Sequence, residues 1–464
     1  MLNRRDAMIG LGQIGVGSLA LPGLLRSTAA AAATGSTGDG FGKAKSCILV
    51  FLWGGPPQQD MWDMKPDAPD GIRSLFKPIP TNVPGITVSD QMPLFAKITD
   101  KVAILRSVTH GSDTHEPSVY RMLTGQTDPA MVIPRNNRRR THAPGPGAIV
   151  SCLKPATGRI PASVTLPRPI MHDGIKYSGT HAGWLGAEHD PLELPDAGFV
   201  NGRPVFDLGL PAGLDVERIS RRRGLLHTVE ATDRWLQQHP DGLGLDAYRA
   251  RAFSLLASSE AKQAFNLDLE PSGTRDRYGR NHFGEAFLLA RRLIEAGARL
   301  VTINWMYFRP DGNPLNPWDN HGGTAALGSV TGYEMLKAEY CLPSLDRSYS
   351  ALISDLNARG MLEETLVSML GEFGRTPKIN ANAGRDHWGA CQSVVLAGGG
   401  IRGGQVYGAS DAQAAYPTEN PVSPEALLAT MYHALGIAAD TELLDREARP
   451  HRLVDGAPIT ALFA

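Results

Sequence analysis

Short apolar runs that alternate with amphipathic segments constrain the fold of this chain more than any other feature. Cys47 to Trp53 (CILVFLW) is an uninterrupted apolar run, and Gly54 and Gly55 end it. A strand that is buried on both faces of a parallel sheet has this pattern. Similar runs lie at 102–105, 299–305, 365–370 and 393–396. The sequence therefore predicts an α/β fold, with a mostly parallel sheet and helices on both faces.

Helical patterns lie between these runs. Residues 283–296 place apolar side chains at helical spacing and end before Gly297, and 345–357 end before Arg359 and Gly360. Ser423 and Pro424 are a cap and first residue for a helix that reaches Leu435. Residues 135–273 are irregular and rich in Pro and Gly, so we expect an insertion or lid there, within a domain that spans 46–464.

The first residues have the pattern of an export signal. Arg4 and Arg5 precede an apolar stretch and an alanine run, which together predict a twin-arginine signal peptide over 1–33. The alternative is a membrane anchor, but the stretch is short and contains several Gly and a Pro. Residues 34–45 are Gly-rich and predict a linker. We therefore expect a periplasmic or secreted protein that uses the twin-arginine export machinery and keeps no stable membrane span after removal of the signal.

Charge and missing motifs exclude several classes of function. The chain has 46 basic and 47 acidic side chains, a balance that argues against nucleic-acid binding. Cys47, Cys152, Cys341 and Cys391 form no C-x-x-C pair, so a thiolate metal site is not expected, although disulfides are possible. The glycines at 398–400 open no helical pattern, which argues against nucleotide binding. The sequence also lacks the G-x-S-x-G motif of α/β-hydrolases with a serine nucleophile and the H-E-x-x-H motif of zinc proteases, which argues against both classes.

Three polar clusters in the last third of the chain predict a metal site. Two of them follow predicted strands: Asp319 and His321 after 299–305, and Glu372 after 365–370. The third contains Asp386 and His387. Ligands in α/β sheets bind outside the carboxyl ends of strands, and Asp, Glu and His there suit a divalent cation. The alternative is turn chemistry, since Asp, Asn and Gly are also common in loops.

The segment at 106–125 resembles the nucleophile signature of sulfatases, which belong to the alkaline phosphatase superfamily. The resemblance lies in Pro117-Ser118 and in the Leu-Thr-Gly at 123–125. In this register His115 occupies the place of the modified cysteine, and Val119 replaces an arginine. The sulfatase nucleophile is therefore missing. The hydroxyls of Thr114 and Ser112 are alternative nucleophiles, and both residues also suit an ordinary turn.

Taken together, the motifs resemble the domain of unknown function 1501 (DUF1501) family over essentially the whole mature chain. They are the segments at 53–66, 123–125, 318–322, 371–377 and 384–388. The members of this family are secreted bacterial proteins, often exported by the twin-arginine route. The resemblance implies an alkaline-phosphatase-like fold of the sulfatase-like branch and a centre with one or two divalent ions, where Zn, Ca and Mg are not distinguished.

The resemblance also implies roles for individual residues. The expected metal ligands are Asp319, His321, Glu372, Asp386 and His387. The family pattern also has an aspartate at the end of the first strand, where this chain has Gly54-Gly55, so Asp60 or Asp63 is expected to take its role. Thr114, His115 and Arg375 are the expected catalytic residues. Arg375 would hold an anionic oxygen of the substrate, and the alternative for this residue is a surface ion pair. His110 is a further possible ligand or proton donor, and the alternative is a histidine with a structural role.

Two hypotheses about function follow. The first is an exported metal-dependent hydrolase of phosphate or sulfate esters, acting on a small molecule or a sulfated glycan. The second is a non-catalytic protein that binds acidic glycans on a degenerate sulfatase-like scaffold, and the missing nucleophile motivates it. A redox enzyme is disfavoured because the sequence has neither clustered cysteines nor a dinucleotide fingerprint.

Overall fold

An eight-stranded sheet runs through the centre of the molecule. The structure is a computed structural model that describes residues 38–128, 138–194 except 157 and 173, 258–308, 314–323 and 328–464, with a few residues between 199 and 255. In chain order the strands of the central sheet are β1 (Ser46–Phe51), β2 (Val102–Val108), β3 (Ser163–Leu166), β4 (Leu192–Glu193), β5 (Leu300–Asn304), β6 (Thr365–Leu370), β7 (Gln392–Ala397) and β8 (Gln405–Tyr407).

The order of the strands across the sheet is β8-β2-β7-β6-β1-β5-β3-β4. β7 pairs antiparallel with β6 and β2, and the other pairs are parallel. The predicted α/β class with a mostly parallel sheet is therefore confirmed. Each strand foreseen from an apolar run is present, with ends shifted by up to three residues.

Helices and short two-stranded ribbons surround the sheet. The helices are α1 (Gln58–Met61), α2 (His115–Thr124), α3 (Pro146–Leu153), α4 (Ser259–Phe265), α5 (Ser272–Tyr278), α6 (His282–Glu295), α7 (Gly332–Lys337), α8 (Leu342–Ala358) and α9 (Pro424–Ala434). The ribbons pair Pro78–Pro80 with Thr87–Ser89, Met171–His172 with Ile175–Lys176, Phe199–Val200 with Arg203–Pro204, Tyr307–Phe308 with Pro314–Leu315, Gly374–Arg375 with His387–Trp388, Ala409–Ser410 with Pro417–Glu419, and Glu442–Leu444 with Pro450–Arg452.

The sheet has a separate hydrophobic core on each face. Side chains alternate along β1, so Ile48 packs with α6 and α8 on one face and Leu49 with α3 and α9 on the other. Every residue of β1 is buried, which explains its uninterrupted apolar sequence. Helices therefore cover both faces, as expected.

The capping residues determine where the predicted helices begin. The Asn281 side chain accepts a hydrogen bond from the Gly284 N–H at the start of α6, and the Ser423 side chain accepts one from the Ala426 N–H at the start of α9. Gly297 follows α6 with a φ of 102°, a left-handed value that glycine adopts readily. The helix predicted over 283–296 is therefore present one residue earlier.

Two of the expected boundaries need correction. Residues 38–45, the described part of the expected linker, are attached to the body: the Ala44 N–H donates to Ala434 O and the Lys45 N–H to Glu364 O. The described residues 138–194 of the expected insertion contribute α3, β3 and β4, and β3 pairs with β5 inside the main sheet. This part of the chain completes the sheet and does not cover it as a lid. The signal peptide expected over 1–33 lies outside the described residues.

Two further expectations concern membranes and cysteines. In the described part of the chain no helix has the length and apolar character needed to cross a bilayer. The thiols of Cys47, Cys341 and Cys391 are buried and form no disulfide, so these residues pack in the interior.

Candidate metal centre

The loops that follow four parallel strands meet at one edge of the sheet. β1, β5 and β6 are adjacent and parallel, and β2 runs in the same direction because β7 is antiparallel to both β2 and β6. Gly54 follows β1, His115 follows β2, Asp319 follows β5 and Glu372 follows β6. The carboxyl ends of these strands therefore bring together residues that are more than 300 positions apart in the sequence.

Asp319 lies at the centre of three imidazoles. Its Oδ1 is 2.9 Å from Nε2 of His387, and its Oδ2 is 3.4 Å from Nε2 of His115 and 3.4 Å from Nε2 of His321. We call these four residues the histidine cluster. The ligand atoms of His115, Asp319 and His387 lie within 4.8 Å of one another, and no other part of the described chain has three such side chains so close together.

A protein oxygen faces the second ring nitrogen of each imidazole. Nδ1 of His387 is 2.9 Å from the Asp113 carbonyl oxygen, and Nδ1 of His321 is 3.0 Å from the Gly322 carbonyl oxygen. Nδ1 of His115 is 2.7 Å from Oε1 of Glu372. Metal-binding histidines have this arrangement, in which an outer oxygen accepts the proton of one nitrogen and orients the other nitrogen toward the ion.

The carbonyl partners determine which nitrogen carries the proton. A carbonyl oxygen can only accept, so Nδ1 of His387 carries the proton. In a neutral ring Nε2 then presents a lone pair to the carboxylate of Asp319 at 2.9 Å. Two acceptors at this distance repel each other unless a proton or a metal ion lies between them. The donor set therefore fits a divalent cation, and three ligands with a further position left for substrate are typical of catalytic sites.

The histidine cluster changes the protonation of its own members. Burial alone would raise the pKa of Asp319, but the Arg375 charge and the imidazole hydrogen bonds hold it well below its usual range. Burial would lower the pKa of His115, yet its hydrogen bonds to Asp319 and Glu372 raise that pKa to about 9. The hydrogen bond to Asp319 also raises the pKa of His321. Without metal the cluster binds protons, so protons and a cation compete for the same atoms.

Glu372 contacts Nδ1 of His115, the ring nitrogen that does not face Asp319. Its side chain is fully buried, and its two carboxylate oxygens accept the N–H of Gly54 at 2.9 and 3.1 Å. The same carboxylate orients His115, and the Glu372 carbonyl oxygen is 2.6 Å from Nε2 of His110. Burial lowers the pKa of His110, so that ring is neutral. We expected Glu372 to be a direct ligand, but its oxygens are directed at His115 and the backbone.

Arg375 directs its guanidinium group at protein oxygens. Its side chain has no exposed surface, and Nη2 is 2.7 Å from Oδ1 of Asp319. The other N–H groups donate to the carbonyl oxygens of Gly54, Gly55, Trp318 and Arg385. The expectation that Arg375 holds a substrate oxygen does not fit this geometry, because its donors are directed at protein oxygens.

Asp60 and Asp63 lie outside the histidine cluster. Both side chains are fully buried. Asp60 accepts Nε of Arg385 at 2.7 Å and the hydroxyl of Tyr333 at 2.6 Å, and Asp63 is 2.9 Å from Nζ of Lys65. A buried carboxylate requires a charge partner, and these two have theirs within the fold. The structure therefore gives no support to a ligand role for either residue. Neither Asp60 nor Asp63 takes the place of the aspartate that was expected at the end of the first strand.

The remaining predicted residues lie around the cluster. Asp386 is exposed and accepts the side-chain N–H of Asn380 at 2.9 Å, so it is not among the grouped ligands. Thr114 is exposed at the N-cap of α2, directly before His115, and its side chain makes no capping hydrogen bond. The Thr114 N–H donates to the Ser112 hydroxyl at 3.4 Å. Thr114 therefore remains the predicted nucleophile that borders the cluster.

Sequence reasoning missed the role of backbone groups in this site. The Asp113 carbonyl oxygen orients His387, and the Gly54 backbone contacts both Glu372 and Arg375. The signal for Gly54 was visible, because two glycines follow an apolar strand where a carboxylate was expected. No signal in the sequence indicated Asp113, since any residue has a carbonyl oxygen.

Comparison with known proteins identifies a family. A family model described as a protein of unknown function, DUF1501, matches residues 44–463. No curated protein matches the sequence.

Several solved structures are similar to this chain at low identity. The PsFucS1 sulfatase from Pseudoalteromonas sp. is 12% identical with a TM-score of 0.39, over 91% of this chain and 72% of that one. The lipoteichoic acid synthase LtaP from Listeria monocytogenes is 11% identical with a TM-score of 0.37, over 94% and 80%. The phosphonate monoester hydrolase SpPMH from Silicibacter pomeroyi is 14% identical with a TM-score of 0.30, over 90% and 76%.

Proposed function

The chain belongs to the DUF1501 family, and from the geometry of its histidine cluster we propose that it is a metal-dependent hydrolase of phosphate or sulfate esters. One observation carries the proposal: the ligand atoms of His115, Asp319 and His387 lie within 4.8 Å of one another, and a protein oxygen faces the second ring nitrogen of both imidazoles. Histidines that bind a metal ion are oriented in this way.

The ligands favour one kind of ion. His115, Asp319 and His387 would hold it through two imidazole nitrogens and a carboxylate oxygen. Imidazole ligands suit zinc and other transition metals better than calcium or magnesium, which prefer oxygen. When bound, the ion would polarise the ester and stabilise the negative charge that develops on its oxygens. The described residues supply ligands for one ion.

Protein groups would attract the anionic ester and supply the nucleophile and the proton donor. α2 begins at His115, so the positive end of its dipole lies at the cluster and favours an anionic ester. The resemblance of 106–125 to the sulfatase signature supports the same substrate class. Thr114, at the N-cap, is the proposed nucleophile. His321 is the proposed proton donor to the leaving group, because its side chain is 41% exposed compared with 27% for His387.

Metal analysis and ester hydrolysis test this function together. We expect purified protein to contain about one equivalent of a transition metal and to hydrolyse aryl phosphates or aryl sulfates. His387→Ala and Asp319→Asn should lose the metal and lower kcat/KM by a factor of about 100 or more. Thr114→Ala should lower kcat while the metal stays bound. His172→Gln, at an exposed position of a two-stranded ribbon, is the control that should change neither property.

The result that overturns the proposal is specific. Folded wild-type protein that binds no cation at neutral pH and turns over neither ester class would exclude this hydrolase. If only Thr114→Ala were fully active, the metal site would stand and another group would be the nucleophile.

The second candidate is a non-catalytic protein that binds acidic glycans. It is favoured by His115, which occupies the place of the sulfatase nucleophile and whose ring is held by Glu372 and Asp319. Binding to sulfated glycans that weakens with salt, without hydrolysis and without dependence on His387, would support this candidate against the hydrolase.

A further inference from the structure

A cavity of about 480 Å³ lies next to the C-terminal half of α2. Tyr120 and Thr124 of α2 form one wall, and Trp184 and the 450–455 segment face them. None of the histidine cluster residues lines it. The volume is within the range of sites that enclose small ligands.

Trp184 provides a fixed aromatic surface in this cavity. Its ring stacks on the His451 imidazole, with ring centroids 4.5 Å apart and planes 20° from parallel. His451 Nε2 is in turn 2.9 Å from Oδ2 of Asp445, whose side chain is 2% exposed. Backbone N–H groups of Glu447 and Arg449 donate to the same carboxylate. The indole is therefore held in place before any ligand arrives, which lowers the entropy lost on binding.

Hydroxyl groups and carboxylates line the rest of the cavity. Tyr120 accepts the Ala143 N–H at 3.0 Å, and its own phenolic proton can still be donated. Thr141 is exposed at the rim, and Asp128 and Asp455 also line the cavity. Hydroxyl donors together with carboxylate acceptors suit a ligand that carries several hydroxyl groups.

The charges disfavour an anionic ligand. Arg452 is the one arginine or lysine among the described lining residues, and its Nη1 is 3.5 Å from Oδ1 of Asp455. His451 is paired with Asp445. Phosphate and sulfate are commonly bound by arginine forks or clusters of cations, whereas this cavity is lined by one arginine together with Asp128 and Asp455.

We propose that this cavity binds a neutral sugar unit of a glycan. The apolar C–H face of a sugar ring packs on an aromatic face, whose electron density is negative, and the sugar hydroxyls bond to the surrounding polar groups. Trp184 supplies the face, and Tyr120, Thr141 and Asp455 supply the polar groups. A flat aromatic ligand would also stack on Trp184 but would make no use of these hydroxyl and carboxylate groups.

The cavity and the histidine cluster both include residues of α2. Tyr120 lies five residues after His115 on α2, a rise of about 7.5 Å along the helix. Val422, two residues before α9, bridges to Val108 at the carboxyl end of β2, so α9 begins at the same edge of the sheet as the cluster. If the proposed function holds, on which this step rests, the substrate is an ester carried on a glycan chain whose neutral sugar binds at Trp184.

Native affinity electrophoresis tests the proposal on the full-length protein. The gels contain one neutral polysaccharide each (galactan, β-glucan, xylan or mannan), or dextran sulfate as the anionic probe. At least one neutral polysaccharide should retard the wild type. Trp184→Ala should weaken that retardation about tenfold, and Trp184→Phe should retain most of it. Thr141→Arg at the exposed rim should block the cavity without affecting the core.

Each outcome separates the sugar site from the metal site. Asp319→Asn should keep the retardation, because the cavity does not include Asp319. Such a result, even with no ester hydrolysis, supports the sugar site while the hydrolase fails. Retardation by dextran sulfate alone, no retardation by any neutral polysaccharide, or retardation that survives both Trp184→Ala and Thr141→Arg overturns the proposal. Loss of binding in Asp319→Asn with no loss in Trp184→Ala also overturns it.

Discussion

At the scale of single residues, the histidine cluster depends on two buried side chains that face the protein. Glu372 holds Nδ1 of His115, and Arg375 holds the carboxylate of Asp319. Sequence reasoning assigned Glu372 to the metal because it follows a predicted strand, and it assigned Arg375 to the substrate on the family resemblance and the forked geometry of a guanidinium group. Their complete burial changes the assignment, since each orients a group that would bind the cation.

Glu372→Gln tests this positioning role. The substitution keeps the size of the side chain but removes the charge behind His115, so we expect metal affinity to fall by a factor of about 10 to 100. The measurement is a competition titration with a chelating dye, and thermal unfolding checks that the fold is kept. Glu364→Gln, at an exposed pair with Lys45, is the matched control and should leave the affinity unchanged. An unchanged affinity in Glu372→Gln would show that His115 needs no such support.

Arg375→Met tests the buried arginine. The substitution leaves Asp319 without its guanidinium partner and several carbonyl oxygens without hydrogen-bond donors. We therefore expect the free energy of unfolding to fall by about 3–5 kcal/mol. Urea denaturation measures the change. The exposed Arg280→Met, which breaks a surface pair with Asp276, should have little effect. A near-normal stability in Arg375→Met together with a higher KM would restore the substrate-binding role predicted from the sequence.

At the scale of elements, the turn after β1 brings the site together. Gly54 has a φ of 120°, and a Cβ at this position would lie 2.3 Å from the Asp319 nitrogen. The turn is therefore in direct contact with the loop that carries the central carboxylate. An aspartate would not fit here, which explains why the acidic residue expected after the first strand is absent.

Gly54→Ala and Gly71→Ala separate crowding from backbone strain. Gly71 also has a positive φ, 82°, but nothing lies within 4 Å of its added Cβ. We expect Gly71→Ala to destabilise the protein by about 1–2 kcal/mol, and Gly54→Ala to cost more and to lose the bound metal. Urea denaturation and metal analysis measure both effects. Equal losses in the two variants would mean that contact with Asp319 does not matter.

Asp346 makes the packing of α8 depend on pH. Its carboxylate accepts the N–H groups of Leu94 and Phe95 at 3.0 and 2.7 Å, and burial raises its pKa to about 6. Between the ordinary aspartate pKa, about 3.9, and this value the folded state binds more protons than the unfolded state. The stability contributed by this group therefore falls as the pH rises through that window.

Asp346→Asn should remove this dependence. The difference in unfolding free energy between the variant and the wild type should change by about 2–3 kcal/mol from pH 4 to pH 6.5, in favour of the variant at the higher pH. Urea denaturation at several pH values measures it. Parallel pH profiles for the two proteins would contradict the assignment.

At the scale of the whole molecule, the sequence predicted the sheet better than the site. Periodicity located β1 and β6 because both strands are buried on both faces. The motifs at Asp319 and His387 indicated a cation centre, but the direction of each side chain depends on contacts between distant segments. Periodicity could not show that β3 joins the sheet, because this strand of four residues lies in a Pro- and Gly-rich segment.

The assembly of the site also bears on export. β1, the first strand among the described residues, lies inside the sheet between β6 and β5, and the cluster needs segments from Gly54 to His387. The centre can therefore form only after nearly the whole chain has folded. The twin-arginine route predicted from the sequence carries folded proteins, so it would deliver the centre already assembled.

We therefore predict that replacing Arg4 and Arg5 by lysine retains the protein in the cytoplasm in folded form. Cell fractionation and metal analysis of the cytoplasmic pool are the measurements. The same change at Arg221 and Arg222, an exposed pair elsewhere in the chain, keeps the charge and should leave export unaffected. Normal export of the Arg4 and Arg5 variant would mean that the chain crosses the membrane by another route. If that route carried unfolded chains, the cation would have to be acquired after export, because the separate segments hold no site.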